Sequence, residues 1–169
     1  MAKKGTTKYK SNLQEKSVAK QFGGKQVIAS GALWFAPSDV RSDKCLIECK
    51  TTEKPYYSVT SKVWEKIERE ALKDGMRIPL LIIDLEDKDR VVVFNPKYFE
   101  HDIPTPYECT SNGDVHKSFR VSIKGLEDAG SYFDIYTYGQ LFMICGEKRN
   151  LLCYMRIKDF IEAFKEELE

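Results

Sequence analysis

The sequence contains no long apolar segment and no strong excess of one charge. Apolar runs such as Leu80–Ile83 fall far short of the roughly 20 residues that a helix needs to span a bilayer. No apolar segment follows the basic amino terminus, which excludes the usual pattern of a secretory signal peptide. We therefore expect a soluble, cytoplasmic protein that does not interact with a membrane.

Patterns typical of disulfide frameworks, zinc sites and histidine chemistry are also missing. No two of the five cysteines have C-x-x-C spacing, and an odd number of cysteines fits a reducing compartment. The two histidines, His101 and His116, have no partner at the spacing of a metal site or a catalytic triad. The sequence predicts free thiols that pack as small hydrophobic side chains.

The size and composition fit one globular domain with a charged surface. The chain has 169 residues, of which 42% are hydrophobic and 31% are charged. The net charge of +1 hides an asymmetry, because residues 1–26 carry seven lysines against one glutamate. We predict a flexible basic arm over residues 1–11 and a single domain over residues 12–169. Such an arm either contacts phosphates or remains a solvated terminus.

The spacing of apolar residues predicts an α/β (α+β) core over residues 12–94. Val18, Ala19 and Phe22 share one helix face with Glu15, which predicts a helix over residues 12–22. Further along, the patterns predict a strand at 25–29, a hairpin of strands 39–41 and 44–50, a loop at 51–57, a helix from Ser58 or Ser61 to residue 74, and strands at 78–84 and 90–94. This order indicates a central mixed β-sheet flanked by helices.

The second half of the chain, residues 95–169, gives weaker signals. Its patterns predict strands at 118–123 and 132–138, a hairpin of strands 140–145 and 151–157, and a terminal helix over 158–168. This half is either a β-rich carboxy-terminal extension of the sheet or an insertion.

Acidic and basic side chains are concentrated at one place in the predicted core. Side chains alternate along a strand, so Glu48 and Lys50 point to one face while Cys49 points to the other. Asp39 lies across the predicted hairpin, and Glu15 lies on the apolar face of the first helix. Burying such charges is costly without partners or a metal. The sequence therefore predicts three carboxylates and a lysine at one inward-facing site.

This set of side chains suits metal-dependent hydrolysis of a phosphodiester. Hard cations such as Mg²⁺, with Mn²⁺ as the alternative, prefer carboxylate and carbonyl oxygens. Asp39, Glu48 and the backbone carbonyl of Cys49 are the predicted metal ligands, and Glu15 completes the site or supports a second ion. Lys50 would orient the attacking water or stabilise charge on the phosphate. A structural salt bridge between Glu48 and Lys50 is the alternative interpretation.

The order of these residues resembles a known nuclease signature. Pro37-Ser38-Asp39 followed by Glu48-Cys49-Lys50 is similar to the PD-(D/E)XK motif, with Glu15 as the additional acid on the preceding helix. Ser30-Gly31-Ala32 is similar to the Ser-Gly turn of archaeal-type and phage Holliday junction resolvases. One departure is Ser38, which separates the proline from the aspartate. The resemblance covers about residues 12–94.

The resemblance implies a restriction-endonuclease-like fold, a DNA endonuclease activity at four-way junctions, and a homodimer in which each subunit cuts one strand. It also implies that Ser30 lies near the scissile phosphate, although Ser30 is equally well explained as a turn residue. The candidate DNA-binding side chains, which would contact phosphates without reading sequence, are Lys3, Lys4, Lys8, Lys10, Lys25 and Arg41.

Two other functions fit the same residues. One is a sequence-specific, mismatch-nicking or end-processing endonuclease with the same core, in which residues 95–169 supply recognition. The other is a nucleic-acid-binding protein that has kept the fold without turnover. The intact set of Glu15, Asp39, Glu48 and Lys50 favours an enzyme over the binding protein.

Overall fold

A computed structural model of the protein describes residues 6–27, 38–86, 89–99, 117–129 and 139–168. The helices are α1 (Thr7–Gln21), α2 (Ser61–Lys73), α3 (Ile123–Ala129), α4 (Ile157–Ala163) and α5 (Lys165–Leu168), with a 3-10 turn at Pro96–Tyr98. The strands are β1 (Lys25–Gln26), β2 (Val40–Arg41), β3 (Cys45–Thr52), β4 (Tyr56–Thr60), β5 (Ile78–Leu85), β6 (Asp89–Phe94), β7 (Ser118–Ser122), β8 (Gly139–Cys145) and β9 (Arg149–Arg156). Among these residues no helix has the length and apolarity needed to cross a membrane.

A mixed sheet of seven strands forms the centre of the protein, in the order β1-β2-β3-β5-β6-β9-β8. Strands β3 and β5 are parallel, and α2 lies between them in the chain. All other neighbouring strands in this sheet are antiparallel. A second, two-stranded sheet pairs β4 with β7. The predicted α/β architecture with a central mixed sheet flanked by helices is confirmed.

The two faces of the central sheet pack against different elements. Helices α1 and α4 contribute Val18 and Phe160 to the core on one face, and the side chain of Cys49 also belongs to this core. Helix α2 and the small sheet contribute Trp64 and Val121 to the core on the other face. Because side chains alternate along β3, Glu48 and Lys50 point toward the face that carries α2.

The hairpin of β8 and β9 extends the central sheet through the pairing of β9 with β6. The predicted carboxy-terminal hairpin is confirmed, and in the described part of the chain it belongs to the sheet instead of forming a separate unit. The predicted strand at 132–138 lies outside the described residues. The terminal helix predicted over 158–168 is divided, because α4 ends at Ala163 and α5 begins at Lys165.

Two local predictions are wrong. Helix α1 begins at Thr7, where the Thr6 hydroxyl accepts a hydrogen bond from the Tyr9 N–H at 3.3 Å, so residues 7–11 are helical and not a flexible arm. The predicted loop at 51–57 is shorter than expected, because β3 continues to Thr52 and β4 begins at Tyr56. The pairing of β4 with β7 joins segments about 60 residues apart, and local sequence patterns do not report such pairing.

Packed phenylalanine rings indicate that α4 stabilises the whole domain. Phe160 is fully buried and its ring centroid lies 5.0 Å from that of Phe94 and 5.1 Å from that of Phe164. We expect Phe160→Ala to lower the free energy of unfolding by about 3–5 kcal/mol, measured by urea denaturation. Leu72→Ala, at an exposed position on α2, is the control and should change stability little. Two separate unfolding transitions in the wild type would contradict the prediction of a single domain.

Candidate active site

Glu48 and Lys50 form a close ion pair in the middle of the site. Glu48 is 6% exposed on β3, next to the parallel strand β5. Its Oε1 lies 2.6 Å from the Nζ of Lys50. The predicted alternation is correct, because Cys45, Ile47 and Cys49 belong to the core on the opposite face. Strand geometry thus holds a buried acid against a partly exposed base.

Asp39 approaches β3 where the short strand β2 begins. Val40 pairs with Ile47, and the N–H of Asp39 donates to the carbonyl of Ile47 at 3.0 Å. The side chain of Asp39 also contacts β3, because its Oδ2 accepts a hydrogen bond from the N–H of Cys49 at 2.8 Å. The carboxylate is therefore fixed beside the peptide that joins Glu48 to Cys49.

Glu15 brings the third carboxylate from α1. Its Oε2 accepts a hydrogen bond from the Gln26 side-chain amide on β1 at 2.5 Å. The pKa of Glu15 is raised, mainly because the carboxyl group is partly buried. The charges of Asp39 and Glu48 raise this pKa further, whereas the Gln26 hydrogen bond and the charge of Lys50 lower it by less. Glu15 therefore lies close enough to Asp39, Glu48 and Lys50 for their charges to affect its pKa.

Lys50 remains an ammonium group at neutral pH. Burial lowers the pKa of Lys50, but the hydrogen bond and charge of Glu48, followed by the charge of Asp39, outweigh burial and raise it. Tyr57 on β4 lies close enough for its pKa to respond to the charges of Lys50 and Glu48, although burial is the main cause of its upward shift. The site therefore offers a fixed cation with a neutral phenol nearby.

The oxygen-rich donor set fits a hard divalent cation. The carboxylates of Glu15, Asp39 and Glu48 and the backbone carbonyl of Cys49 are the ligand types that Mg²⁺ and Mn²⁺ prefer. The Cys49 thiol does not compete, because it is buried on the opposite face and burial raises its pKa far above neutrality. Among the described residues, no three His, Cys, Asp or Glu side chains already form a metal-binding group. Glu48 instead contacts Lys50 and Glu15 contacts Gln26, so metal binding stays a prediction.

Gln14 is a site residue that the sequence prediction missed. It is only 3% exposed, and its side-chain amide donates to the carbonyl of Lys50 at 2.9 Å. Its carbonyl oxygen accepts a hydrogen bond from the Thr51 hydroxyl at 2.8 Å. Gln14 thus attaches α1 to β3 directly beside Glu15. The signal was present, because Gln14 precedes the buried Val18 by four residues and so shares its helix face.

Helix α2 also contributes charged groups that the sequence prediction missed. Lys66 Nζ lies 3.7 Å from Glu48 Oε1 and 3.7 Å from Glu70 Oε1. The other oxygen of Glu70 accepts hydrogen bonds from the N–H and the hydroxyl of Ser38, at 3.2 and 3.1 Å. In the sequence, the mixture of Arg69 and Lys73 with Glu65, Glu68 and Glu70 predicts a solvated face of this helix. That expectation is wrong for Glu70, and for Glu68, which is 2% exposed.

Glu68 forms its own buried network on α2. Its Oε1 accepts hydrogen bonds from Lys97 Nζ at 2.5 Å and from the Tyr98 hydroxyl at 2.9 Å, and Lys148 contacts its other oxygen. Burial raises the pKa of Glu68, but the hydrogen bonds from Lys148, Lys97 and Tyr98 lower it further than burial raises it. This network satisfies a buried charge, which explains its presence on α2 without a role in catalysis.

Four of the candidate DNA-binding residues lie in the described part of the chain. Lys8 and Lys10 are on α1, where Lys10 Nζ lies 3.1 Å from Glu53 Oε1. Lys25 and Arg41 face each other across the β1–β2 ladder. Both line a cleft of about 380 Å³, together with Arg77 and with Gln26, the partner of Glu15. This cleft therefore borders the acidic site. The candidates Lys3, Lys4 and Ser30 lie outside the described residues.

Comparison with solved structures gives a distant similarity. No protein-family model matches the sequence, and no curated protein matches it. The structure is similar to that of Hjc, a Holliday junction resolvase from the archaeal hyperthermophile Archaeoglobus fulgidus. The similarity has 16% sequence identity and a TM-score of 0.44, and it covers 66% of this chain and 86% of that chain. At this TM-score the similarity does not bear on the reaction or the substrate.

Proposed function

We propose that the protein is a divalent-metal-dependent endodeoxyribonuclease that cuts branched DNA, acting as a Holliday junction resolvase in DNA recombination and repair. One observation carries the proposal: the Asp39 carboxylate accepts a hydrogen bond from the Cys49 N–H at 2.8 Å, on the strand that holds the side chains of Glu48 and Lys50 2.6 Å apart. Glu15 follows Gln14, whose side chain donates to the Lys50 carbonyl at 2.9 Å, so α1 adds a third carboxylate at this place. Gathering like charges in a partly buried site costs free energy. A site that binds a cation and a phosphodiester accounts for that cost better than a structural ion pair.

In the proposed hydrolysis, the acids bind the metal ion and Lys50 stabilises negative charge on the phosphate. Asp39, Glu48, Glu15 and the carbonyl of Cys49 would hold Mg²⁺ or Mn²⁺. When bound, such an ion polarises the phosphate and lowers the pKa of a coordinated water. Lys50 stays protonated and would donate hydrogen bonds to a phosphate oxygen as negative charge develops there. Glu48 orients that ammonium group through the 2.6 Å contact.

Lysines and arginines near the site support binding of a DNA backbone. We propose that Lys3, Lys4, Lys8, Lys10, Lys25 and Arg41 contact phosphates, with Ser30 near the scissile phosphate. The cleft between Lys25 and Arg41 borders the partner of Glu15, so a strand bound there would pass close to the acids. Contacts of this kind supply affinity without sequence preference.

The salt dependence of DNA binding tests whether the cleft lined by Lys25 and Arg41 binds DNA. We expect the double variant Lys25→Gln/Arg41→Gln to bind DNA more weakly at low salt. The slope of log affinity against log salt should become shallower by about 1 for each phosphate contact that the variant has lost. Fluorescence anisotropy from 50 to 200 mM salt, roughly the range where such contacts dominate, measures this. Lys62→Gln/Lys158→Gln, at exposed positions on α2 and α4, removes the same number of positive charges and is the control. An unchanged slope in the double variant would exclude the cleft from the DNA-binding surface.

The choice of a four-way junction rests on the sequence resemblance of residues 12–94, and the homodimer is proposed on the same basis. A dimer with two sites would introduce one nick in each of two strands. Labelled four-way junction and matching linear duplex, each with Mg²⁺ and with chelator, test the substrate. Paired, metal-dependent nicks in the junction alone are expected. Cutting of both substrates would favour another endonuclease of this kind, and DNA binding without any cutting would favour a non-catalytic binding protein.

A further inference from the structure

Ser38 adopts a backbone conformation that serine normally avoids. It has φ of 47° and is 3% exposed. The left-handed region is unfavourable for residues with a Cβ atom and persists only when the surrounding structure enforces it. Ser38 is also the residue that separates Pro37 from Asp39, where the nuclease signature has proline directly before aspartate. A strained residue therefore stands immediately before a predicted metal ligand.

Glu70 is the group that holds Ser38 in place. One carboxylate oxygen, Oε2, accepts hydrogen bonds from both the N–H of Ser38 at 3.2 Å and its hydroxyl at 3.1 Å. Hydrogen bonds to an ionised acceptor are stronger than those between neutral groups. Glu70 lies on α2, which packs against the sheet through Trp64 and Ile67, so the acceptor sits on a rigid element. The strain at Ser38 is thus balanced by contacts from a distant part of the chain.

Lys66 connects Glu70 to the other half of the site. It lies one helical turn before Glu70, and its Nζ is 3.7 Å from Oε1 of Glu70 and 3.7 Å from Oε1 of Glu48. A continuous set of contacts therefore runs from Ser38 through Glu70 and Lys66 to Glu48. Both ends of that set adjoin the acids proposed to hold the metal, because Ser38 precedes Asp39 in the chain.

We propose that Glu70 is a positioning residue for the nuclease reaction, with Lys66 as its link to Glu48. Glu70 holds Ser38 in the left-handed conformation, and this directs the Asp39 carboxylate onto the N–H of Cys49, beside Glu48. Helix α2 thereby sets the spacing between two acids, one just before β2 and the other on β3. The role assigned to Glu70 rests on the proposed nuclease function, whereas its hold on Ser38 does not.

Replacing Ser38 with glycine in the Glu70→Ala variant tests whether Glu70 positions Ser38 or instead contacts the metal or the DNA directly. Glu70→Ala is expected to lower kcat by about 10- to 100-fold, as removal of a group that orients a ligand typically does, while DNA binding stays unchanged. Glycine adopts positive φ without strain, so adding Ser38→Gly to Glu70→Ala should restore kcat by roughly two- to fivefold. Glu162→Ala on α4 is the charge control and should match the wild type. Absence of rescue would overturn the inference, because a residue that touched metal or DNA directly would not respond to residue 38.

Lys66→Met, compared with Lys62→Met one turn earlier on the same helix, tests the link to Glu48. Lys66→Met should lower kcat by about tenfold with unchanged DNA affinity, in the lower range for groups that orient ligands. Lys62→Met should leave both unchanged. Equal kcat in the two variants would remove Lys66 from the positioning network.

Amide hydrogen exchange separates this inference from the nuclease proposal. Glu70→Ala should accelerate exchange of the Ser38 amide by about tenfold or more, because the substitution removes its hydrogen bond to a charged acceptor. If the wild type cuts no DNA, the nuclease function fails, and faster exchange would still support the hold of Glu70 on Ser38. Unchanged exchange at Ser38 would overturn the inference whatever the cleavage assay gives.

Discussion

Replacing Glu48 with alanine is expected to lower cleavage of a four-way junction by more than about 100-fold. Removal of a group that only orients a metal ligand costs about 10- to 100-fold, so removal of a ligand should cost more. Glu48 also holds Lys50 Nζ at 2.6 Å, so the same substitution releases the cation that is proposed to contact the phosphate. Both effects act on the transition state. Binding of the junction should change little, because the proposed phosphate contacts come from other residues.

Single-turnover cleavage of labelled junction measures this effect, with anisotropy for binding and thermal unfolding for integrity. Glu48→Gln keeps the shape of the side chain and a hydrogen-bond acceptor for Lys50, so it separates the effect of charge from the effect of packing. Glu162→Ala, at an exposed position on α4, is the control. Cleavage by Glu48→Ala within about tenfold of the wild type, well below the effect expected for a metal ligand, would remove Glu48 from the metal site.

Glu15→Gln is expected to impair cleavage and to stabilise the folded protein at neutral pH. The pKa of Glu15 is raised, mainly by burial and then by Asp39 and Glu48, against the opposing Gln26 hydrogen bond. The folded state therefore binds the Glu15 proton more tightly than the unfolded state does. Above the raised pKa, Glu15 is ionised in both states, and its burial in the folded state lowers the free energy of unfolding. This loss of stability disappears as the pH falls through the raised pKa toward the ordinary value. Glutamine removes this penalty and still accepts a hydrogen bond from Gln26.

Urea denaturation in chelator from about pH 4, near the ordinary pKa of a glutamate, up to about pH 8 tests the sign. The stability advantage of Glu15→Gln should be greatest at neutral pH and should shrink on acidification. Cleavage should fall by about 10- to 100-fold, since the substitution removes a charged group at the proposed metal site. Glu127→Gln, an exposed acid on α3, is the control. A wild type that is more stable than Glu15→Gln at neutral pH would contradict the assigned environment of Glu15.

The local part of the site is readable from the sequence. Strand alternation places Glu48 and Lys50 on one face and Cys49 on the other, because the side-chain period of a strand is two residues. The hairpin is marked by its turn residues, and this brings Asp39 next to β3. Glu15 is recognisable because it shares a helix face with Val18. These inferences depend only on residues within a few positions of one another.

The contributions of α2 are not readable in the same way. Glu70 contacts Ser38, which lies 32 residues earlier in the chain, and no local pattern reports that contact. Glutamates and lysines at helical spacing usually indicate a solvated face, and Lys66 with Glu70 fits that pattern equally well. Only the packing of α2 on the sheet directs these charges inward. The pairing of β4 with β7 escaped prediction for the same reason.

Direct titration of Mn²⁺, followed by electron paramagnetic resonance, tests the metal site itself without relying on DNA. The wild type should bind Mn²⁺, and Asp39→Asn should weaken that binding by about tenfold or more, since the substitution removes one charged ligand. Asp128→Asn, an exposed acid on α3, should bind Mn²⁺ as the wild type does. Equal Mn²⁺ affinity in all three proteins would contradict the proposed function, because the acids gathered around Lys50 would then not be a metal site.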